Sequence, residues 1–302
     1  MRKIYTFGET VYDIIFQNDQ AVRAVAGGAM LNTAVSLGRM GLPVSLISEL
    51  GNDQTGRLVK DFLITNGVNA KHIHIYKGRK TAISLAFLDA HKNASYTFYK
   101  DYPRNRLDKE FPGINANDIV LFGSFYSLNS NIRKKLIVFL RNAKKKGALI
   151  IYDPNLRSPH KDQLKELRPL VVENLSIADV VRASNEDLAT LSGSLNIREI
   201  RKHIKGVLMI TQGEKETRLF TDKKQCTFDV PQAKIESTIG AGDSFNAGLI
   251  YAFYREGVNR ERLFSGDVPW KEVIDIAHAF ASSACGSIEN YISKKYAESF
   301  RL

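Results

Sequence analysis

Six short apolar runs dominate the chain: Ile4–Phe7, Val44–Ile47, Ile119–Phe122, Ala148–Tyr152, Val180-Val181 and Val207–Ile210. Each stops against small or polar residues: Gly8-Glu9, Ser48-Glu49, Gly123-Ser124, Asp153, Ser184-Asn185 and Thr211 respectively. Apolar runs that do not alternate belong to strands buried on both faces, hence to a parallel sheet. Helical patterns fall between them, at Met30–Met40, Gly56–Asn66, Asn131–Lys145 and from Asp187–Leu191 onward. Gly41, Gly67 and Gly147 stand where helix C-caps are needed. Strand and helix alternate, which predicts an α/β fold of three layers, α/β/α, around a mostly parallel sheet. In such folds ligands gather at the carboxyl ends of the strands, where the polar residues above are found.

Residues 79–101 break the rhythm. Arg79–Leu88 and Ser95–Lys100 read as two strands about the polar turn Asp89-Ala90-His91-Lys92-Asn93, with alternating apolar positions at Ile83, Leu85 and Phe87 and at Tyr96 and Phe98. Residues 12–25 are expected to add strands beside them. The natural product is a small β-sheet lid over the sheet edge, of the kind that excludes water from a reaction centre. No repeat, low-complexity segment or linker divides the rest, so residues 1–302 read as a single domain with the lid segments inserted.

At 302 residues and 44% hydrophobic content the chain can bury a large core without covalent staples. Cys226 and Cys285 form no CxxC pair, which fits a reducing, cytoplasmic setting. No run approaches the ~18 apolar residues that span a bilayer, and no signal peptide follows Met1-Arg2-Lys3, so no membrane partner is expected. The net charge of +11 raises the question of nucleic acid. The basic residues, among them Arg133-Lys134-Lys135 and Lys144-Lys145-Lys146, sit on helix faces without interleaved aromatics, so an enzyme that handles anions is the better reading.

The chemistry is concentrated in Ser237-Thr238-Ile239-Gly240-Ala241-Gly242-Asp243-Ser244-Phe245. A Gly-Ala-Gly turn entering a helix aims backbone N–H groups at one point, and the helix dipole adds positive potential there. Such a point holds a phosphate. Asp243 would be repelled by that anion, and its presence makes sense if it takes a proton from the group attacking the phosphate. Gly240, Ala241 and Gly242 form the anion hole in this reading and Asp243 is the base. A second glycine site, Ala26-Gly27-Gly28-Ala29-Met30-Leu31-Asn32, opens the first helix; paired glycines allow close approach to a ligand, and Asn32 can both donate and accept hydrogen bonds.

The conjunction of the two sites resembles the ribokinase-type (PfkB) family of carbohydrate kinases. The early signature is Gly27-Gly28 with Asn32, Ala34, Gly41 and Gly51, where Met30 replaces a common Pro; the late one is Thr238-Ile239-Gly240-Ala241-Gly242-Asp243. Asp153-Pro154-Asn155-Leu156-Arg157, Thr211-Gln212-Gly213-Glu214-Lys215 and Ala277-His278-Ala279 follow the family's order, so the resemblance spans nearly the whole chain. It implies a ribokinase-like fold with a β lid that often dimerises, ATP as donor, Mg²⁺, and a sugar acceptor. Carried over by position, Asp13, Gly27, Gly28 and Asn32 hold sugar hydroxyls, with Asn155 and Arg157 lining the same region. Asn185, Thr211, Gly213 and His278 lie along the nucleotide. Two departures stand out. Ser237 replaces a usual Asp that helps hold a monovalent cation, which puts potassium activation in doubt. The acid near Mg²⁺ could be Glu186 or Asp187, because Ser184-Asn185-Glu186-Asp187 matches the family's Asn-x-x-Glu in an ambiguous register.

Asp-Pro-Asn-Leu-Arg after a strand is similar to fructokinases and 2-keto-3-deoxygluconate kinases, although the Trp typical a few residues later is absent. Fructokinase is the preferred reading; ribokinase or deoxygluconate kinase is the alternative, and a non-catalytic sugar or nucleotide sensor is the alternative outside the class. Gly51-Asn52-Asp53-Gln54-Thr55-Gly56 has P-loop glycine spacing but lacks Lys-Ser/Thr and is no Walker A. His72-Ile73-His74 reads as strand-end surface residues rather than metal ligands.

Overall fold

The computed structural model describes residues 1–88, 94–156, 164–192, 197–233, 235–287 and 289–300. Its centre is a nine-stranded sheet. The apolar runs supply its middle: β1 (Ile4–Phe7), β4 (Val44–Gly51), β8 (Ile119–Gly123), β9 (Leu149–Asp153), β10 (Val180–Ser184) and β11 (Val207–Thr211). β5 (Ile73–Tyr76) closes one edge, and β12 (Glu216–Phe220) and β13 (Gln225–Asp229) the other. The order is β13-β12-β11-β10-β9-β8-β1-β4-β5. Every pairing from β5 to β11 is parallel, and β11-β12-β13 are antiparallel. All residues of β1, β4, β8 and β9 are buried, as strands covered on both faces require.

Helices cover both faces: α1 (Ala29–Arg39), α2 (Gln54–Thr65), α3 (Ser130–Lys145), α4 (Leu164–Ile177), α5 (Asn185–Ser192), α6 (Ile197–His203), α7 (Ala241–Arg255), α8 (Arg260–Ser265), α9 (Trp270–Cys285) and α10 (Lys294–Ser299). One core cluster packs α1, α7 and α9 on one face through residues such as Leu31, Phe253 and Ile274; a second packs α3 and α4 on the other through Leu136, Leu140 and Val171. The three expected layers are present.

A second, four-stranded sheet holds β2 (Val11–Gln17), β3 (Gln20–Gly27), β6 (Ile83–Leu88) and β7 (Ala94–Tyr99) in the order β3-β2-β6-β7. β2 and β6 are parallel, flanked by antiparallel partners. Of the strands expected across 79–101, the first starts later than Arg79 and the second one residue earlier than Ser95, and the turn at 89–93 lies outside the described residues. The alternation divides the sheet into two faces. Asp13 opposes Ser84 on one face; Ile14 opposes Leu85, and Phe16 opposes Phe87, on the other.

His74 departs from its expected surface position. It lies on β5 at 2% exposure, its ring near Phe111, and its Nδ1 accepts from the Lys109 N–H at 3.3 Å. Burial holds its pKa below the ordinary histidine value. Cys226 and Cys285 are unbonded. Among the described residues no helix is long and apolar enough to cross a membrane.

Candidate active site

The site is organised by the first turn of α7. Gly240 caps it in the left-handed conformation (φ 79°), and a Cβ there would lie 2.1 Å from the Asn290 carbonyl oxygen, so only glycine fits. No side chain caps this helix end, which leaves its first-turn N–H groups for a ligand. The three expected amides are not equivalent. The Ala241 N–H donates to Thr238 O at 3.3 Å, closing the turn on itself, whereas the N–H groups of Gly240 and Gly242 find no acceptor among the described residues.

Asp243, 7% exposed, projects from this turn. Its Oδ2 accepts from Asn32 Nδ2 at 2.8 Å, and its Oδ1 faces Asn155 Nδ2 at 3.4 Å. Thr33 Oγ1 donates to the Asp243 carbonyl at 3.0 Å, so the N-terminal turns of α1 and α7 are tied together. Asn32 Oδ1 is buried without a donor among the described residues, an acceptor left for a hydroxyl. Asn155 has φ 41°, a left-handed conformation that asparagine tolerates better than most residues, and this turns its amide toward Asp243. Arg157 lies outside the described residues.

Beneath Asp243 is a second, fully buried carboxylate. Asp153, at the end of β9, accepts from the Asn155 N–H at 3.1 Å and from Asn246 Nδ2, and Arg182 Nη1 lies 3.3 Å away. Burial, with Asp187 and Asp243 nearby and only partly opposed by Arg182, pushes its pKa up to about 7.

A cavity of about 1010 Å³ opens from this point along the carboxyl ends of β9, β10 and β11. Its wall includes Asp243, Asn155, Thr211, Gly213, Asn185 and His278. The structure therefore brings the expected base, anion turn and nucleotide-side residues into one space. His278 is 3% exposed and made less basic by burial; its Nε2 pairs with Thr217 Oγ1 at 2.9 Å. Asp13, Gly27 and Gly28 do not line that cavity. They lie beside it, where the second sheet meets α1; Asp13 Oδ1 accepts from Ser84 Oγ, and a Cβ on Gly27 would strike Asp13 Oδ2 at 2.0 Å.

The two candidate metal acids differ sharply. Asp187 is buried, with Oδ1 accepting from the Leu156 N–H at 2.6 Å and Oδ2 from the N–H and Oγ of Ser184, both at 2.7 Å. Ser184 Oγ in turn accepts from the Asp187 N–H at 3.0 Å, a reciprocal cap on α5. Glu186 is exposed on the cavity wall. Among the described residues no group of three or more His, Cys, Asp or Glu side chains could hold a metal on its own.

Sequence reading missed Arg182. A cation inside the buried strand Val180-Val181-Arg182-Ala183 was the available signal, since arginine is almost never fully buried unless paired. Its role could not be seen without knowing that β9 and β10 are neighbours.

A parallel sheet with an uncapped helix N-terminus and a buried carboxylate at its carboxyl edge has the groups that phosphoryl transfer requires. Residues 1–295 match the pfkB family carbohydrate kinases. The chain belongs to that family and is a carbohydrate kinase. Fructokinase-2 of Solanum lycopersicum is 29% identical, over 94% of this chain and 89% of its own. The crystal structure of aminoimidazole riboside kinase from Salmonella enterica, complexed with aminoimidazole riboside and an ATP analog, superposes with a TM-score of 0.83 at 21% identity, covering 99% of each chain. That of fructokinase from Vibrio cholerae O395, with fructose, ADP and calcium ion bound, superposes with a TM-score of 0.79 at 23% identity, covering 100% of this chain and 99% of its own. The fold is therefore that of the ribokinase-like sugar kinases.

Proposed function

We propose that the protein transfers the terminal phosphoryl group of ATP to a hydroxyl of fructose. The observation that carries the reading is Asp243: a carboxylate on an uncapped helix N-terminus, held by Asn32 and facing Asn155, on the wall of a cavity large enough for a nucleotide. Asp243 takes the proton of the acceptor hydroxyl as its oxygen bonds to the γ-phosphorus, and the bond from phosphorus to the ADP oxygen breaks. The first-turn amides of α7, with Gly242 foremost, neutralise the migrating group. Asn32 Oδ1 and Asp13 bind acceptor hydroxyls beside it, Gly27 and Gly28 let the sugar approach the backbone, and Asn155 orients the base. Asn185, Thr211, Gly213 and His278 lie along the nucleotide, with His278 as a neutral packed ring.

Mg²⁺, bound with the nucleotide, supplies charge neutralisation at the phosphates. Glu186 is the accessible acid to hold it, and Asp187 caps the first turn of α5 from which Glu186 projects. The second sheet acts as a lid, and its outward apolar face pairs two copies of the chain.

Fructose is favoured by the 29% identical relative. Ribose and 2-keto-3-deoxygluconate are the alternatives within the class. Aminoimidazole riboside joins them because of the neighbour with a TM-score of 0.83. A sensor would have no use for the base. The test is ADP formation by the purified protein with ATP, Mg²⁺ and each of these acceptors. Fructose is expected to give the highest kcat/KM. Turnover with another acceptor alone would overturn the choice of sugar, and none with any would favour the sensor.

A further inference from the structure

Among the described residues, Arg182 is the one Lys or Arg on the cavity wall, and the expected machinery does not use it. It sits on an interior strand between β9 and β11, 6% exposed. Burying a guanidinium costs several kcal/mol unless its donors are met. A guanidinium has five N–H donors, and those of Arg182 are sparsely used. Nη2 donates to Thr211 Oγ1 at 2.8 Å, Nη1 reaches Asp153 at a long 3.3 Å, and Nε is buried with no acceptor among the described residues. Its counter-ion is shared, because Asp153 also accepts from Asn246 and from the Asn155 N–H. Burial raises the Asp153 pKa, and Arg182 opposes that rise only in part.

The position of the guanidinium is the second observation. A Cβ on Gly242 would lie 2.7 Å from Arg182 Nη1 and 3.1 Å from Nη2. The charged plane is thus laid against the backbone of the turn that carries the anion hole, and glycine at 242 is what admits it. Arg182, Gly242 and Asp243 line one cavity. The Phe245 ring, 5.5 Å from the guanidinium carbon, supports it from the helix side.

We propose that Arg182 is a catalytic residue of the phosphoryl-transfer step, a fixed cation whose guanidinium donates to oxygens of the nucleotide's terminal phosphate and stabilises the charge that develops as the phosphoryl group moves. This rests on the kinase reading above. Thr211 and Asp153 hold the side chain in place before the nucleotide arrives, so little reorganisation is needed when it does. The competing account is purely structural, with Arg182 present only to neutralise buried Asp153.

The test compares the wild type with Arg182→Gln, Arg182→Lys and the double variant Arg182→Gln/Asp153→Asn. The readouts are kcat, both KM values, thermal stability, and the binding of ADP with and without aluminium fluoride as a phosphoryl mimic. Arg182→Gln is expected to lower kcat by roughly 10²–10³, with sugar KM moving less than about threefold. It is also expected to abolish the extra affinity that the fluoride confers on ADP while leaving ADP binding alone nearly unchanged. Arg182→Lys recovers part of kcat, because a point charge replaces a planar fork. The double variant stays as slow as Arg182→Gln. Recovery of kcat in the double variant, or a kcat within about threefold of wild type in Arg182→Gln, would overturn the assignment in favour of the structural account. Should the wild type form no ADP with any sugar, the kinase reading fails by itself; unchanged binding of the ADP–fluoride pair by Arg182→Gln would then reject the role of Arg182 separately.

Discussion

Asn32 and Asp243 stand 211 positions apart in the chain, yet Asn32 Nδ2 lies 2.8 Å from Asp243 Oδ2. The bond joins the first turns of two helices packed side by side, and Thr33 repeats the tie to the Asp243 backbone at 3.0 Å. A carboxylate fixed in this way reaches its substrate in one orientation, which is the geometric requirement for a general base. Asp243→Asn keeps the shape and removes the base. It is expected to lower kcat by about 10²–10⁴ while sugar KM stays within a few-fold. Steady-state kinetics with the accepted sugar decide this; a kcat close to wild type would remove Asp243 from the chemistry.

Gly240 sets the direction of the turn below that base. With φ at 79° and a prospective Cβ 2.1 Å from Asn290 O, Gly240→Ala meets both backbone strain and a backbone clash. The expected outcome is a loss of about 1–3 kcal/mol in stability and a fall in kcat larger than any change in sugar KM, read by thermal melts alongside kinetics. An alanine variant with unaltered melting temperature would mean that the turn is not held as described.

The sequence made much of this legible, for identifiable reasons. Strands buried on both faces leave near-continuous apolar runs, so β1, β8, β9 and β11 could be located from composition alone. Gly240 and Asp243 stood out because a Gly-Ala-Gly turn entering a helix suits an anion, and a carboxylate directly beside it then needs a reason. What stayed hidden depended on neighbours. Both Glu186 and Asp187 border the cavity, but only Asp187 is tied up in a cap with Ser184, a difference that the local sequence does not display. Ala241 looked like a third anion donor until its N–H was found closing on Thr238. The strands of β5 and β12–β13 are short edge elements with weaker patterns, and His74 was misplaced with β5.

Asp153 makes stability depend on pH. Burial lifts its pKa to about 7, assisted by Asp187 and Asp243 and opposed by Arg182. Between its ordinary value and about 7 the folded protein therefore keeps a proton that the unfolded chain releases. The contribution of this group is complete below the ordinary carboxylate range and is lost as pH rises through about 7. Asp153→Asn carries no such proton. Its melting temperature relative to wild type should climb between pH 5 and pH 8, by roughly a few degrees. Melts at three pH values test this, and a difference that does not change with pH would show that Asp153 titrates in its ordinary range.

Ser237 occupies the position where the resembling family usually places an acid for a monovalent cation. Its hydroxyl is engaged locally, with Oγ accepting from the Ile239 N–H at 3.2 Å and its own N–H donating to Cys285 O at 3.1 Å. Without a carboxylate here, exchanging K⁺ for Na⁺ at constant ionic strength is expected to change kcat by less than about twofold. Activation well beyond that would mean that other groups assemble a cation site without an acid at 237.

The outward face of the second sheet bears on the quaternary state. Phe16 and Phe87 oppose each other across β2 and β6 with ring centroids 4.9 Å apart, Ile14 and Leu85 extend the strip, and Phe87 and Tyr99 remain 40% and 55% exposed. The other face carries Asp13 and Ser84, which are hydrogen-bonded to each other. A contiguous aromatic face that the described residues do not cover calls for a cover, and a second copy meeting it face to face would bury both patches by two-fold symmetry. Phe87→Asp places a charge at its centre, where desolvation in a dimer is prohibitive and exposure in a monomer costs little. Sedimentation at micromolar concentration is expected to give a dimer for wild type and a folded monomer for Phe87→Asp. The monomer should also show raised sugar KM, because a lid without its partner is freer to open. A monomeric wild type, or a Phe87→Asp variant that remains dimeric, would place the interface elsewhere or remove it.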